Sequence, residues 1–340
     1  MTMRARRLIR ALAAVAAVLV AAPSPAQVPP PEAQRISFQI ATGPVSGTYL
    51  RVGEAIARII SNPPGLARCE VEGVCGPEGL IATTRSSSGS IVNAAYVNSG
   101  RVKSAIVQAD IAAAAYAGDG PFRQGGPLDN LRVIARLHDE TLHLVVGTRS
   151  RIKKFSDLSG KRVAIDSNKS ATNHTVRSLL SVSGVSVRRL RLSYQPAEQA
   201  VRDLRDGKID ALFVIGVAPV AGIDGLVRRG QARVIGLDSA AVAALAKKQP
   251  MMSRYELPAD TYRASRTVVT LNVASLWLVN KSLPDDIVQG ILRSLWNPAN
   301  RGELLRLGKA ARSIDVAKAA ENLPLPLHRG AERFYTEAGR

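Results

Sequence analysis

The chain has few aromatic residues and almost no cysteine. Phe, Trp and Tyr make up 4% of its 340 residues, whereas the hydrophobic fraction as a whole is 46%, so a core has to be built from Ala, Val, Leu and Ile. The length is sufficient for two domains of ordinary size. The sequence has no Walker loop, H-E-x-x-H motif or G-x-S-x-G nucleophile elbow, and its four histidines form no metal-binding pair. We therefore expect no enzyme activity, no cofactor and no metal.

Acidic residues are outnumbered by basic ones. The 27 Asp and Glu residues stand against 46 Lys and Arg, which gives a formal net charge of +19. Nucleic-acid binding has to be considered at this charge, but the basic residues are spread along the chain and no zinc-finger or RNP-like pattern accompanies them. We predict a basic soluble protein that does not bind nucleic acid.

Long apolar runs are absent after residue 26. The first 26 residues contain a basic region ending at Arg10, an apolar region of small residues from Ala11 to Ala22, and the small-x-small sequence Ser24-Pro25-Ala26. This pattern is typical of a cleavable secretory signal, and its apolar region is too short to span a membrane comfortably. We predict a signal peptide at 1–26 and an exported mature protein.

Only two cysteines occur, Cys69 and Cys75, and both lie in the part predicted to be exported. In an oxidising compartment this spacing predicts one small disulfide loop. A metal site would need more ligands, and redox catalysis usually shows C-x-x-C. The surrounding residues 62–79 are rich in Pro and Gly, as expected for a surface excursion.

The stretch 36–53 predicts a strand, a tight turn and a helix. Alternating apolar residues end at Gly43, a Gly/Ser/Thr loop follows, and a helical pattern begins at Tyr49. A turn of this kind presents backbone N–H groups at the positive end of a helix dipole, which suits an anion. The alternative is an ordinary connection in which Ser or Thr serves as the N-cap.

The pattern of strand, polar loop and helix recurs along the chain. Such strands are predicted at 80–84, 104–108, 161–165 and 208–215. Two consecutive strands are predicted at 131–137 and 141–148, a short helix at 152–158, and a long β-rich stretch at 267–279. Ligands in open α/β sheets usually bind at the carboxyl ends of the strands. We therefore predict an α/β protein of two domains joined by two crossovers, with four polar loops that face one cleft.

Several motifs in this order resemble one known family. They are S-G-T-Y, S-S-S-G-S-I-V-N, A-I-V-Q-A-D, F-S-D-L-S-G-K-R-V-A-I, D-G-K-I-D-A-L-F and P-L-H-R-G-A-E-R-F-Y. The chain resembles the TAXI solute-binding proteins of tripartite ATP-independent periplasmic (TRAP) transporters over residues 36–339. The resemblance implies a two-lobed, type II periplasmic-binding-protein fold with a ligand cleft between the lobes. The expected lobes are 35–144 plus 270–340, and 145–269.

The resemblance also implies ligand-binding positions. Those in the first lobe are Gly47, Thr48, Tyr49, Gly89, Ser90, Asn93 and Gln108. Those in the second lobe are Ser170, Thr172, Phe213, Gly216 and Pro219. The second-lobe loop departs from the family pattern, because the chain has Asn168-Lys169-Ser170-Ala171-Thr172 where the family often has Pro-Gly-Ser-Gly-Thr.

Four side chains admit two interpretations each. Lys169 and Arg85 could pair with ligand carboxylates, but Lys169 could also be a solvated loop residue and Arg85 a rim residue that assists electrostatic capture. Tyr49 could bind the ligand or be a core aromatic at the cleft wall. Asp110 is more easily explained as a helix N-terminal residue than as a ligand contact.

The function implied by the resemblance is periplasmic capture of a small organic anion or amino acid, such as a carboxylate, a dicarboxylate or a glutamate-like molecule. The protein would act as a monomer and deliver its ligand to TRAP membrane subunits, expected to be a fused permease. Two alternatives stay open. One is a periplasmic sensor that presents its ligand to a signalling receptor, and the other is an enzyme on the same fold.

Overall fold

The computed structural model describes residues 35–45, 47–264 and 266–339. The predicted signal peptide lies outside the described residues. The strands are β1 Ile36–Ala41, β2 Leu80–Arg85, β3 Ser104–Gln108, β4 Leu131–Gly147, β5 Arg162–Ala164, β6 Arg191–Ser193, β7 Ala211–Gly216, β8 Ala232–Ile235, β9 Met252–Leu257 and β10 Val268–Asn280. The α-helices are α1 Thr48–Ile60, α2 Ser90–Asn98, α3 Ala109–Ala117, α4 Ala171–Val182, α5 Ala197–Arg205, α6 Ala221–Arg228, α7 Ser239–Lys248, α8 Asp285–Leu295, α9 Arg301–Leu305 and α10 Arg329–Glu337.

Two groups of strands, β1 to β3 in the first and β5 to β9 in the second, are joined by the two long strands β4 and β10. The main path through the sheet is β2-β1-β3-β10-β4-β7-β5-β6, and β8 and β9 pair with β4 and β10. Strand β4 pairs with β10 over residues 131–141 and with β7 over 141–146. Strand β10 pairs with β3 over 275–279 and with β9 over 268–273. Each long strand therefore belongs to both groups, as expected for two lobes connected by two crossovers, and the predicted α/β two-lobed fold class is confirmed.

The first group shows why its loops gather at one edge. Strand β1 pairs in parallel with β2 and with β3, so all three carboxyl ends point the same way. Helix α1 covers this group through the fully buried stripe Val52, Ile56 and Ile59, which has the spacing of one helix face. Beneath it the Trp277 ring meets Phe38 edge-on, with 6.3 Å between ring centroids.

The structure corrects the predicted order in the middle of the chain. The two separate strands at 131–137 and 141–148 are wrong, because β4 is continuous through His138-Asp139-Glu140. These polar residues look like a turn in the sequence, but β10 pairs with Asp139 and Glu140, and its Ser275 bonds to His138. His138 and Glu140 are buried. The helix predicted at 152–158 is only a 3-10 turn, Phe155–Leu158. Helix α7 and strand β9 were not predicted.

The predicted disulfide is confirmed. Cys69 and Cys75 are bonded, with 5.2 Å between their Cα atoms, in the excursion between α1 and β2. Gly76 in this excursion donates its N–H to the Ile60 carbonyl at the end of α1, so the excursion is fixed to the first strand group. Among the described residues, none of the helices has the length and apolar character needed to cross a membrane.

Candidate functional site

The loop between β1 and α1 is held by main-chain bonds. The N–H of Gly47 donates to the Pro44 carbonyl at 2.8 Å, and Gly47 is the N-cap of α1 without a side-chain capping bond. The helix begins at Thr48, one residue earlier than predicted. Thr48 is half-buried. Because no side chain of the described residues caps this terminus, N–H groups of the first turn are left for other partners.

Tyr49 joins this loop to the long strand β4. Its hydroxyl donates to Glu140 Oε2 at 2.8 Å, and its ring meets the His138 ring edge-on at 5.6 Å. Burial raises the pKa of Tyr49 well above its ordinary value, and the negative charge of Glu140 is the second-largest cause. Tyr49 is therefore a neutral, buried donor committed to Glu140, which is the arrangement expected for a core aromatic at a cleft wall.

Glu140 is a buried carboxyl that the sequence interpretation missed. Burial raises its pKa to about 7, and the negative charges of Asp110 and Asp139 add to the effect, while the bond from Tyr49 opposes it. Among the described residues no salt bridge to Glu140 is formed. A signal was present in the sequence, because an acid inside an apolar strand needs either a partner or a proton.

The loop between β2 and α2 is fixed by Asn93 and Ser90. Gly89 has a φ of +109°, a left-handed conformation that suits glycine. Ser90 Oγ accepts the N–H of Gln108 at 3.0 Å, and Asn93 Nδ2 donates to the carbonyls of Thr42 and Ile106. Asn93 thus ties the ends of β1 and β3 together from α2. Its Oδ1 is buried and has no partner among the described atoms.

Gln108 and Asp110 connect the first strand group to α4. Gln108 Nε2 donates to Asp110 Oδ1 at 2.6 Å and to Thr175 Oγ1 at 3.3 Å, and Thr175 Oγ1 donates to Asp110 Oδ2 at 3.4 Å. Burial raises the pKa of Asp110. Burial lowers the pKa of the neighbouring His174, and the charge of Asp110 opposes that shift. The predicted position of Asp110 in the first turn of a helix is confirmed.

The loop before α4 presents its charged residue outward. Lys169 is exposed and has a φ of +72°. Ser170 is the N-cap of α4, and its hydroxyl accepts the N–H of Asn173 at 3.0 Å. Thr172 is buried on the same helix. Burial raises the pKa of Asp166 at the start of this loop.

The remaining predicted positions are Phe213, Gly216, Pro219 and Arg85. Phe213 is buried against Phe155, with 6.4 Å between ring centroids. Gly216 pairs with Thr141 of β4, and Pro219 follows a cis peptide bond. Arg85 is exposed, and its guanidinium lies over the Tyr96 ring at 5.5 Å.

The structure thus brings together Tyr49, Ser90, Asn93 and Gln108, and adds Glu140, Asp110 and Thr175. Lys169 and Arg85 are exposed, and Phe213 packs against Phe155. In the part of the chain that the structure describes, no group of three or more His, Cys, Asp or Glu side chains is arranged to hold a metal ion. The buried polar groups near the ends of β1 and β3 are hydrogen-bond donors, acceptors and carboxyls. Such groups can orient a small polar molecule.

Comparison with known proteins gives one family match. The profile of the NMT1-like family matches residues 40–339. Among solved structures, the alkanesulfonate-binding protein SsuA from Xanthomonas axonopodis pv. citri, bound to MOPS, is 15% identical, with 89% of this chain and 85% of that chain covered and a TM-score of 0.48. A TctC solute-binding protein from Polaromonas is 16% identical, with 80% and 88% covered and a TM-score of 0.46.

Proposed function

The chain belongs to the NMT1-like family, and on that premise we propose that it is an extracytoplasmic solute-binding protein. It captures a small organic anion or amino acid and delivers it to a membrane transporter of the TRAP type. The motifs shared with the TAXI proteins support the finer assignment to TRAP transport. The predicted signal at 1–26 supports a periplasmic location.

One observation carries this proposal more than any other. Gln108 at the end of β3 and Asp110 in the first turn of α3 meet Thr175 of α4 through buried hydrogen bonds. Among the described residues, the two strand groups are otherwise continuous only through β4 and β10. Two strand groups connected by two strands can bend about them, as in hinge closure around a ligand. We propose that residues 35–144 plus 270–340 form one lobe and 145–269 the other.

The loops of the first group supply the proposed binding wall. The N-terminus of α1 offers N–H donors near Gly47, Ser90 and Asn93 lie in the first half of α2, and Gln108 ends β3. A carboxylate group of the ligand is the chemistry that such donors favour. The positive net charge of the chain assists encounter with an anion and is screened by salt.

Mass spectrometry of small molecules released from the purified protein by unfolding tests this assignment. We expect an organic acid or an amino acid that rebinds to refolded protein. The variant Gly47→Val should lose this rebinding, because a Cβ at Gly47 would lie 3.1 Å from the Pro44 carbonyl oxygen and displace the loop. Gly302→Val, at a position with open space around its Cβ, is the matched control. Release of a sugar alone, or full binding by Gly47→Val, would contradict the proposal.

A further inference from the structure

A cavity lies beside the two long strands β4 and β10. Its volume is about 350 Å³, within the range of small-molecule sites. The lining residues are Ala109, Arg136, Asp139, Pro250, Met251, Ser253, Asn272, Val273, Ala274 and Asn322. None of them is among the positions predicted to bind the cleft ligand. We call it the hinge cavity, because β4 and β10 form its floor.

A β-bulge places two opposite charges side by side in this cavity. Arg136 and Asp139 are three residues apart on β4, and in a regular strand this spacing would point them to opposite faces. Their partners on β10, Leu276 and Ala274, are only two apart, with a register shift between the pairs. The extra residue on β4 brings the side chains together, and Arg136 Nη2 lies 2.6 Å from Asp139 Oδ1. Bulges often re-aim side chains next to binding sites.

The charge pair keeps free bonding capacity. A guanidinium has five N–H donors and a carboxylate has two oxygens, so the bond between Arg136 Nη2 and Asp139 Oδ1 uses only part of each group. Both side chains are partly exposed, at 21% and 36%. Asn272 Oδ1 accepts from Thr141 Oγ1 at 2.7 Å, which leaves the amide NH₂ of Asn272 as the end that can donate to an occupant.

The walls of the cavity come from both strand groups. Ala109 begins α3, which follows β3 of the first group, whereas Pro250, Met251 and Ser253 lie at the connection from α7 to β9. A molecule in the cavity therefore contacts both groups at the strands that join them.

We propose that the hinge cavity binds a small zwitterion of the amino-acid type. Its carboxylate pairs with Arg136 and its ammonium group pairs with Asp139. A zwitterion fits better than a simple anion or cation, because the paired cavity charges are balanced and each charge of the occupant meets its opposite. Because the occupant touches both strand groups, it stabilises the arrangement in which these walls are close. None of its lining residues is a predicted cleft position, although Ala109 directly follows the cleft residue Gln108 in the chain.

The experiment titrates glycine, as the probe, into the full mature chain. NMR follows the amide signals of Ala109, Ser253 and Asn272. We expect saturable shifts with a dissociation constant of about 1 mM or tighter. Acetate and methylamine, which carry one charge each, should bind at least about tenfold more weakly. Equal binding of acetate and glycine would overturn the assignment of Asp139, and the absence of shifts at all three amides would overturn the site.

Variants separate this site from the cleft. Arg136→Gln and Asp139→Asn should each weaken glycine binding by about tenfold or more. The control Arg132→Gln lies on the same strand, with its guanidinium bonded to the carbonyls of Asp129 and Leu131, and should bind glycine normally. Gly47→Val should also retain the shifts, because it alters only the cleft loop. Shifts that persist in both Arg136→Gln and Asp139→Asn would overturn the proposal.

Discussion

The loops of the two strand groups differ in how they are held. In the first group, buried side chains tie the loops to neighbouring strands, as Tyr49 does to Glu140 and Asn93 to the ends of β1 and β3. In the second group, the loop before α4 is held by a local N-cap, Ser170, and leaves Lys169 exposed. The first wall is therefore built into the core, whereas the second is a surface loop. Substitutions should affect stability strongly in the first and weakly in the second.

The largest effect is expected for Asn93→Ala. It removes the amide that donates to the Thr42 and Ile106 carbonyls and leaves buried acceptors without a partner, so we expect a loss of about 2–4 kcal/mol in the free energy of unfolding. Urea denaturation measures this loss. Ser99→Ala, at the exposed end of the same helix, is the control and should change stability by no more than about 0.5 kcal/mol. Similar losses in both variants would contradict the claim that buried side chains tie the first group's loops to the core.

The titration of Glu140 should make the free energy of unfolding depend on pH. Its pKa is about 7 in the folded state, above the ordinary value of 4.5. The folded protein therefore binds more protons between these values. Its stabilising contribution is complete below pH 4.5 and is lost as the pH rises through 7, by up to about 3 kcal/mol. Glu140→Gln should remove this slope from denaturation curves measured across that range.

Two buried histidines change the stability with pH in the opposite direction, so the experiment needs a second variant for comparison. Burial lowers the pKa of His138 to about 3 and that of His143 to about 4, so their contribution is present above pH 6.5 and is lost as the pH falls. Asp139→Asn, next to Glu140 on β4, should reduce the slope only in part, because the charge of Asp139 is a smaller cause of the raised pKa of Glu140 than burial is. A slope that is unchanged in Glu140→Gln would show that Glu140 does not titrate in this range.

An intermediate effect is expected for Tyr49→Phe. It leaves Glu140 without its donor and should cost about 1–3 kcal/mol at pH 8, where the carboxyl is ionised. The loss should shrink at pH 5, because the protonated carboxyl is neutral. Tyr116→Phe, at a half-buried position of α3, serves as the control. A loss of equal size at both pH values would show that the bond to Glu140 does not depend on its charge.

The smallest effect on stability is expected for Lys169→Ala, because the side chain is exposed; it should stay within about 0.5 kcal/mol by urea denaturation. Lys169→Gly should be more stable than Lys169→Ala by up to about 1 kcal/mol, because glycine accepts a φ of +72° without strain. If Lys169 contacts the ligand, Lys169→Ala should weaken a dicarboxylate more than its monocarboxylate analogue. Equal weakening would assign Lys169 to the rim.

The strand–loop–helix order could be predicted because hydrophobic periodicity is a local property. For this reason strand β3 was predicted at its observed bounds, and helix α1 was predicted to begin within one residue of its observed start. The continuity of β4 could not, because His138, Asp139 and Glu140 become strand residues only through pairing with β10 and burial under Tyr49. These contacts join residues more than 90 positions apart in the chain. The roles of Glu140 and Thr175 at the candidate site depend on the same kind of distant contact.

Calorimetric titration of ligand-free protein with a panel of amino acids and carboxylates tests the central claim most directly. We predict that at least one of them binds with a dissociation constant of about 1 μM, that Gly47→Val abolishes this binding, and that Lys169→Ala only weakens it. Failure of the whole panel, with binding of a neutral sugar or a metal cation instead, would contradict the account.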